Sequence, residues 1–301
     1  MKKLNCGPLG QTNGIRDSCL TKDVLTKLKE GFNNKYPENI IRSKQSNHIW
    51  KDLNKKLQHC DKETCWLDVL DDTQLKNKVE TLLYAPQKPI EWKIKPDTWL
   101  SNHDILGVMK QYEKAYEKFR FIGPTPIDFD KKPTFGYGNF CGTNKRMNEN
   151  NCVCDELCDF NINYYKNNNI NQVGICFNLD KHTERGSHWV SLFIDLKEQY
   201  LFYFDSIGDK MPKEIENLIE KVQKQGTFKV HINKLEHQKE NSECGMYTLM
   251  FLITMLSDTW VNSGKKDNVT FKNTREKISF FKNKRISDNK VSKFRDIYFN
   301  D

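Results

Sequence analysis

The sequence has no hydrophobic run long enough to cross a bilayer. Its longest strongly apolar stretch, "MYTLMFLITML" from Met246 to Leu256, is well short of the ~20 residues a spanning helix needs. It reads instead as a buried helix, so membrane insertion is not expected. The N-terminus, "MKKLNCGPLG", has two lysines but no apolar core of a signal peptide. Without a secretory signal, the ten cysteines are expected as reduced thiols of a cytosol-like compartment. Most should be inert, with one available as a nucleophile. No zinc-finger, RRM or basic-zipper pattern is present. Basic residues outnumber acidic ones, 48 to 40 for a net charge of +8, but the lysines are scattered rather than blocked. That composition permits non-specific contact with nucleic acid or acidic surfaces and gives no sign of sequence reading. A lysine-rich solvated surface explains it equally well. Cys152, Cys154 and Cys158, with Cys141 nearby, show C-x-C-x3-C spacing instead of the paired C-x2-4-C of structural zinc. No metal is expected there, and Cys60 and Cys65 are expected as packed or exposed thiols. No internal repeat stands out.

What is present divides near residues 85 to 95, where "APQKPIEWKIKPDTW" carries three prolines and interrupts a helical pattern. Before it lie three amphipathic segments. In "DSCLTKDVLTKLKEGF", Leu20, Val24, Leu25 and Leu28 recur at helical spacing behind a cap at Asp17 or Ser18. "NHIWKDLNKKLQH" places Ile49, Trp50, Leu53 and Leu57 on one face, and "DDTQLKNKVETLLY" follows. This predicts a helical arm over residues 1–88 and a second domain over 89–301. The second opens with a helix capped by Asp97 or Thr98. Next come a strand and turn in "FRFIGPTPIDF" and an irregular insertion over 131–170. A strand "QVGICFNLD" and two further strands in "SHWVSLFIDLKEQYLFYFDS" come after it. Then follow the helix "KEIENLIEKVQKQ", the strand "FKVHINKL", the buried helix, a polar lysine-rich loop, and a last helix around "SDNKVSKFRDIYF". The pattern is α+β.

Two features of that second domain carry chemistry. With a turn at Asp195–Glu198, the hairpin sets Ser191 opposite Phe202 and His188 opposite Asp205. A carboxylate there can accept the imidazole Nδ1–H and support the imidazolium. Further on, in "HQKENSECGMYTLMFLITML", Cys244 stands at the start of the apolar helix, behind a cap at Asn241 or Ser242. Unpaired N–H groups and the helix dipole favour a thiolate there. Gly245 would leave room for a substrate. The side-chain amide of Gln238 and the backbone N–H of Cys244 could together hold an oxyanion. His182 is a rival base without a following strand and reads as a loop residue. His237 reads as a loop or strand-end residue.

The order His188-Trp189, Asp205, Gln238, Cys244-Gly245 resembles the adenain and ubiquitin-like-protease superfamily of cysteine peptidases, which includes the SUMO-deconjugating enzymes. Trp99-Leu100-Ser101-Asn102 is similar to the W-L-N-D that often precedes that family's first core helix, with Asn102 in place of the aspartate. A closer similarity is to the virion-maturation proteases of large DNA viruses, of the African swine fever virus type. It is carried by Asp17-Ser18-Cys19-Leu20, by Cys60-Asp61-Lys62-Glu63-Thr64-Cys65, by Ser242-Glu243-Cys244-Gly245, by Arg285-Ile286-Ser287-Asp288 and by Lys293-Phe294-Arg295. Asp205 stands where that type has Asn.

The resemblance implies a papain-like-superfamily core with a central mixed sheet and a buried nucleophile helix, plus a helical arm. It implies His188, Asp205, Cys244 and Gln238 as the catalytic set, with Trp99, Trp189 and Asn102 at the substrate and no cofactor. Trp99 and Trp189 would wall a narrow tunnel for glycines, giving cleavage of viral polyproteins after Gly-Gly. The places of action would be the host cytoplasm, at viral factories, and the virion. Competing readings are removal of SUMO or ubiquitin from host proteins, Cys-dependent acyl transfer, and a non-enzymatic basic virion protein.

Overall fold

In the computed structural model, residues 2–133, 135–141, 143–148, 151–260 and 269–301 are described. They form two compact units, Met1–Lys88 with Asp296–Asp301, and Pro89–Arg295. The expected second domain ran to residue 301, but Asp296–Asp301 belongs with the first unit. The cause is hydrogen bonding. Asn300 accepts from the Asn5 backbone N–H at 2.6 Å and donates to the carbonyls of Ala85 (2.9 Å) and Asn5 (3.1 Å).

The first unit is helical: α1 (Pro8–Asn13), α2 (Lys22–Lys35), α3 (Ser46–Lys56) and α4 (Thr73–Leu83). Leu25, Leu28 and Phe32 of α2 pack with Ile49 and Leu53 of α3, Trp66, and Val79 and Leu83 of α4. The cap of α2 is Thr21, whose hydroxyl accepts from the Val24 N–H at 3.3 Å, not Asp17 or Ser18. Those two lie in a turn in which Asp17 has φ +67°. Disulfides join Cys6 to Cys19 and Cys60 to Cys65, so the expectation of reduced thiols fails here. Helix α1 lies between Cys6 and Cys19, whereas Cys60 and Cys65 are only five positions apart.

In the second unit, α5 (Asn102–Ala115) leads to β1 (Phe119–Pro126). The hairpin β2 (Phe135–Phe140) and β3 (Thr143–Asn148) follows, then α6 (Asp155–Cys158) and α7 (Ile162–Asn167). Residues 131–170 are thus not simply irregular. Disulfides Cys141–Cys154 and Cys152–Cys158 staple this region, and as disulfide sulfurs these four offer no thiolate to a metal. Then come β4 (Gln172–Asn178), β5 (Trp189–Asp195), β6 (Tyr200–Phe204), α8 (Lys213–Gln223), β7 (Lys229–Ile232) and α9 (Cys244–Ser257). The short ribbon β8 (Thr259–Trp260) with β9 (Val269–Thr270), α10 (Thr274–Asn283) and α11 (Asp288–Val291) complete the unit. The sheet order is β1-β4-β5-β6-β7, with both edge strands parallel to their neighbours and the inner pairs antiparallel.

Strand alternation gives the sheet two apolar faces. Val173, Ile175, Val190, Leu192, Ile194 and Leu201 point to one face, where Ile215, Leu218, Ile219 and Val222 of α8 cover them. The other face meets α9, whose residues from Cys244 to Leu256 are all buried, as a helix apolar on every side must be. There Phe204 stacks on Phe251 at 4.6 Å, and Phe281 of α10 closes on both. Each such ring pair adds about 0.5–1.5 kcal/mol beyond its burial.

Of the lysine-rich stretch read as a loop, residues 261–268 lie outside the described residues and Thr274–Asn283 is helix α10. Its buried Lys277 donates to the Met255 carbonyl at 2.7 Å and pairs with Asp258, placing a cation at the negative end of α9. The helix α5 is capped by Ser101 in a capping box with Asp104, not by Asp97 or Thr98. The last segment is broken into short turns rather than one helix.

Candidate active site

Cys244 is the first residue of α9, and Glu243 is the cap; no side chain caps this end. Asn241 and Ser242 do not serve. With no side-chain oxygen on the first N–H groups, the positive end of the helix acts on the Cys244 sulfur. Cys244 and Cys176 are the two free cysteines, both buried. Cys176 lies on β4, and burial, with Cys244 nearby, pushes its thiol well up, which keeps it protonated and inert.

His188 immediately precedes β5, and Asp205 immediately follows β6. The hairpin pairs Ser191 with Phe204 and Asp195 with Tyr200, two residues away from the expected register. The Asp195 carboxylate accepts from the Lys197 and Glu198 N–H groups at 3.0 and 2.7 Å, so the turn is Leu196–Gln199. His188 and Asp205 meet nonetheless, since a diagonal neighbour is within reach of a long side chain. The contact is Asp205 Oδ1 to His188 Nε2 at 2.7 Å, not to Nδ1 as expected. The Cys244 thiol also hydrogen-bonds the imidazole.

Burial opposes charge on His188, but its hydrogen bonds with Asp205 and Cys244 outweigh it, and the imidazole is pushed up to about 9. Asp205 is only 1% exposed, and its Oδ2 has no hydrogen-bond partner. Such an uncompensated oxygen favours an imidazolium beside it.

Asp205 is itself held from behind. The fully buried Asn233 donates to the Asp205 carbonyl at 2.7 Å, and to that of Leu235 at 3.0 Å. Ser206 accepts at its carbonyl from the His237 and Gln238 N–H groups, both at 2.8 Å. Its hydroxyl donates to Gln238 Oε1 at 2.7 Å. Gln238 is thereby oriented, oxygen to Ser206, with its NH2 group donating one bond to the Glu240 carbonyl and a second N–H left over. Asn233 and Ser206 were not singled out in the sequence. Their only signal there is position, flanking Asp205 and the strand before Gln238.

His237 is fully buried: Nε2 donates to the Phe281 carbonyl at 2.8 Å and Nδ1 accepts from Ile286 N–H at 3.1 Å. Both nitrogens are committed, so it is a structural residue, and burial lowers it to about 4. His182 is a loop residue as expected, but it pairs through Nδ1 with Asp128 at 2.6 Å. It stands apart from the His188–Asp205 pair.

Trp99, Asn102 and Trp189 line one cavity of about 400 Å³, with Leu100, Thr125, Pro126, Asn178 and His182 among its other walls. Trp99 is 46% exposed and Trp189 nearly buried. The indole N–H of Trp189 donates to the Leu100 carbonyl at 3.1 Å, which ties the residue after His188 to the residue after Trp99. A Cβ on Gly245 would sit 2.9 Å from Leu100 Cβ. The missing side chain therefore makes room for Leu100, and not for substrate as the sequence suggested.

Residues 170–299 match the Ulp1 protease family, C-terminal catalytic domain. A candidate thiol protease of Acanthamoeba polyphaga mimivirus is 37% identical over 171 residues, 54% of this chain and 49% of its own length. A cysteine protease of African swine fever virus (strain Badajoz 1971 Vero-adapted) is 30% identical over 134 residues, 42% of each chain. The chain thus spans about half the length, or less, of these relatives. A crystal structure of the African swine fever virus protease superposes with a TM-score of 0.56 at 19% identity, over 99% of this chain and 97% of that one. That last likeness is one of fold.

Proposed function

We propose that this chain, whose residues 170–299 match the Ulp1 protease family, C-terminal catalytic domain, is a viral cysteine endopeptidase cutting structural polyproteins after Gly-Gly. The observation that carries the reading is the meeting of Asp205, His188 and Cys244 at the first turn of a buried helix. His188, raised to about 9, holds the proton of Cys244 as an ion pair. The thiolate attacks a glycine carbonyl. The Cys244 N–H and the remaining Gln238 N–H stabilise the oxyanion. His188 returns the proton to the leaving amine, and water then hydrolyses the thioester.

Trp99 and Trp189, which line the same cavity, give the cleft aromatic walls suited to a substrate without side chains beside the scissile bond. Relatives in two large DNA viruses favour virion maturation, with action in the host cytoplasm and the virion.

The test is a cleavage assay with wild-type and Cys244→Ala protein on Gly-Gly-Xaa peptides and on SUMO and ubiquitin fusions. Cleavage after Gly-Gly by the wild type alone is the expected result. Preference for the fusions over the peptides would move the assignment to deconjugation. Absence of any cleavage by folded wild-type protein would remove the Gly-Gly reading.

A further inference from the structure

Arg295 is a buried cation with four kinds of contact, all within the second unit. Its Nε donates to both Glu243 carboxylate oxygens at 3.2 and 3.1 Å, and a further nitrogen pairs with Oε1 at 3.1 Å. Its Nη1 donates to the Thr98 carbonyl at 2.9 Å. Its Nη2 lies 3.5 Å from the Ser242 carbonyl. The guanidinium plane lies over the Trp92 ring, 4.3 Å from its centre. The Arg295 and Glu243 side chains are only 7% and 4% exposed.

These partners are not scattered. Glu243 and Ser242 directly precede Cys244, and Thr98 directly precedes Trp99. One planar group therefore holds the start of the nucleophile helix against the strand of chain that carries a cleft wall. The same segment is held twice more, by the Leu100 carbonyl on the Trp189 indole and by Leu100 in the gap left at Gly245. Only a guanidinium can serve three directions and a ring face at once; an ammonium is a compact point charge without a plane. A pair worth only stability would not need to span these two segments, since buried ion pairs are commonly matched by apolar packing.

We propose that Arg295 is a positioning residue. Through Glu243 and the Thr98 carbonyl it sets Cys244 at a defined place relative to the Trp99 wall. This rests on the reading of Cys244 as nucleophile and of Trp99 as part of the substrate cleft. Arg295 touches neither and acts through its neighbours.

Arg295→Lys keeps a cation beside Glu243 and gives up the fork and the flat stack. Three quantities are measured on folded protein: Tm, the rate of Cys244 alkylation by iodoacetamide at pH 7, and kcat and KM for a Gly-Gly peptide. Misplacement by a fraction of an ångström to 1 Å costs on the order of 10- to 100-fold in such a site. We expect kcat/KM to fall by about that factor, with KM rising as the Trp99 wall loosens and with slower alkylation. Val222→Ala, in α8 on the opposite face of the sheet, should lower Tm and leave the alkylation rate alone.

Unchanged alkylation and unchanged kcat/KM in folded Arg295→Lys would overturn the proposal. So would losses matched by Val222→Ala at equal Tm. Should Arg295→Lys not fold, the uncharged pair Glu243→Gln with Arg295→Met leaves no lone buried charge, and the same readings decide. Slow alkylation in the variant beside a wild type that alkylates rapidly but cleaves no Gly-Gly peptide would keep the positioning role and discard the substrate.

Discussion

Protonation of the imidazole sets how the candidate site answers to pH. His188, raised to about 9 by Asp205 and Cys244 against its burial, stays an imidazolium through neutral pH. The stability of that pairing is fully present below the ordinary value near 6.5 and is lost as pH rises through about 9. The descending limb of a pH–rate profile should therefore lie near 9. Asp205→Asn keeps an acceptor for Nε2 and loses the charge, so it should move that limb to lower pH while retaining activity. Asp205→Ala loses both, and kcat should drop by on the order of 10²- to 10⁴-fold. A limb that stays near 9 in Asp205→Asn would show that the aspartate charge is not what holds the proton. His237 behaves oppositely. Lowered to about 4 by burial, it adds stability above pH 6.5 that is lost as pH falls toward 4. A His237→Gln variant should be less stable than wild type at pH 7 and lose less on acidification, as read by Tm at several pH values.

Among the elements, helix α9 and the hairpin β5–β6 bring Cys244, His188 and Asp205 together, and both depend on close contacts that tolerate little change. Gly245→Ala would force a Cβ to within 2.9 Å of Leu100 Cβ. Overpacking of this kind costs about 1–3 kcal/mol, and here it should also disturb the Leu100–Trp189 hydrogen bond. Denaturant unfolding should report the first loss, and a raised KM the second. A variant with wild-type stability and KM would show that Leu100 can yield without consequence. Asn233 plays a comparable part for the hairpin, since without it the Asp205 carbonyl loses its buried donor.

Across the whole molecule, eight cysteines are paired and two are free. Thiol titration of the native protein without reductant should count one fast thiol, Cys244 beside His188 at the helix end, and two after denaturation, since Cys176, also buried, is held protonated. Four or more thiols after denaturation would contradict the pairing. Cys6→Ser with Cys19→Ser opens a link of sequence separation 13, a loss of about 2–3 kcal/mol under non-reducing conditions. The link at Cys60–Cys65 closes a shorter loop and should matter less.

Much of the site was legible because its chemistry is local in the chain. A cysteine before an all-apolar helix, a histidine before one strand and an aspartate after the next are each visible within a few residues. Their side-chain types, together with the two-residue and 3.6-residue periods, determined the α+β class and the candidates Cys244, His188 and Asp205. Register was not legible: the turn closes through an Asp195 side chain on backbone N–H groups, with no tight-turn signal. Disulfide pairing was not either, since spacing does not state which thiols approach. Helix α10 was hidden because its lysines read as solvated, whereas Lys277 is buried on the end of α9. Asn233, Ser206 and Arg295 act on residues 28, 32 and 52 positions away in the chain, or on backbone carbonyls that carry no sequence identity. Only the folded chain decides which polar group meets which, because that choice depends on distances between segments and not on the residues within any one of them.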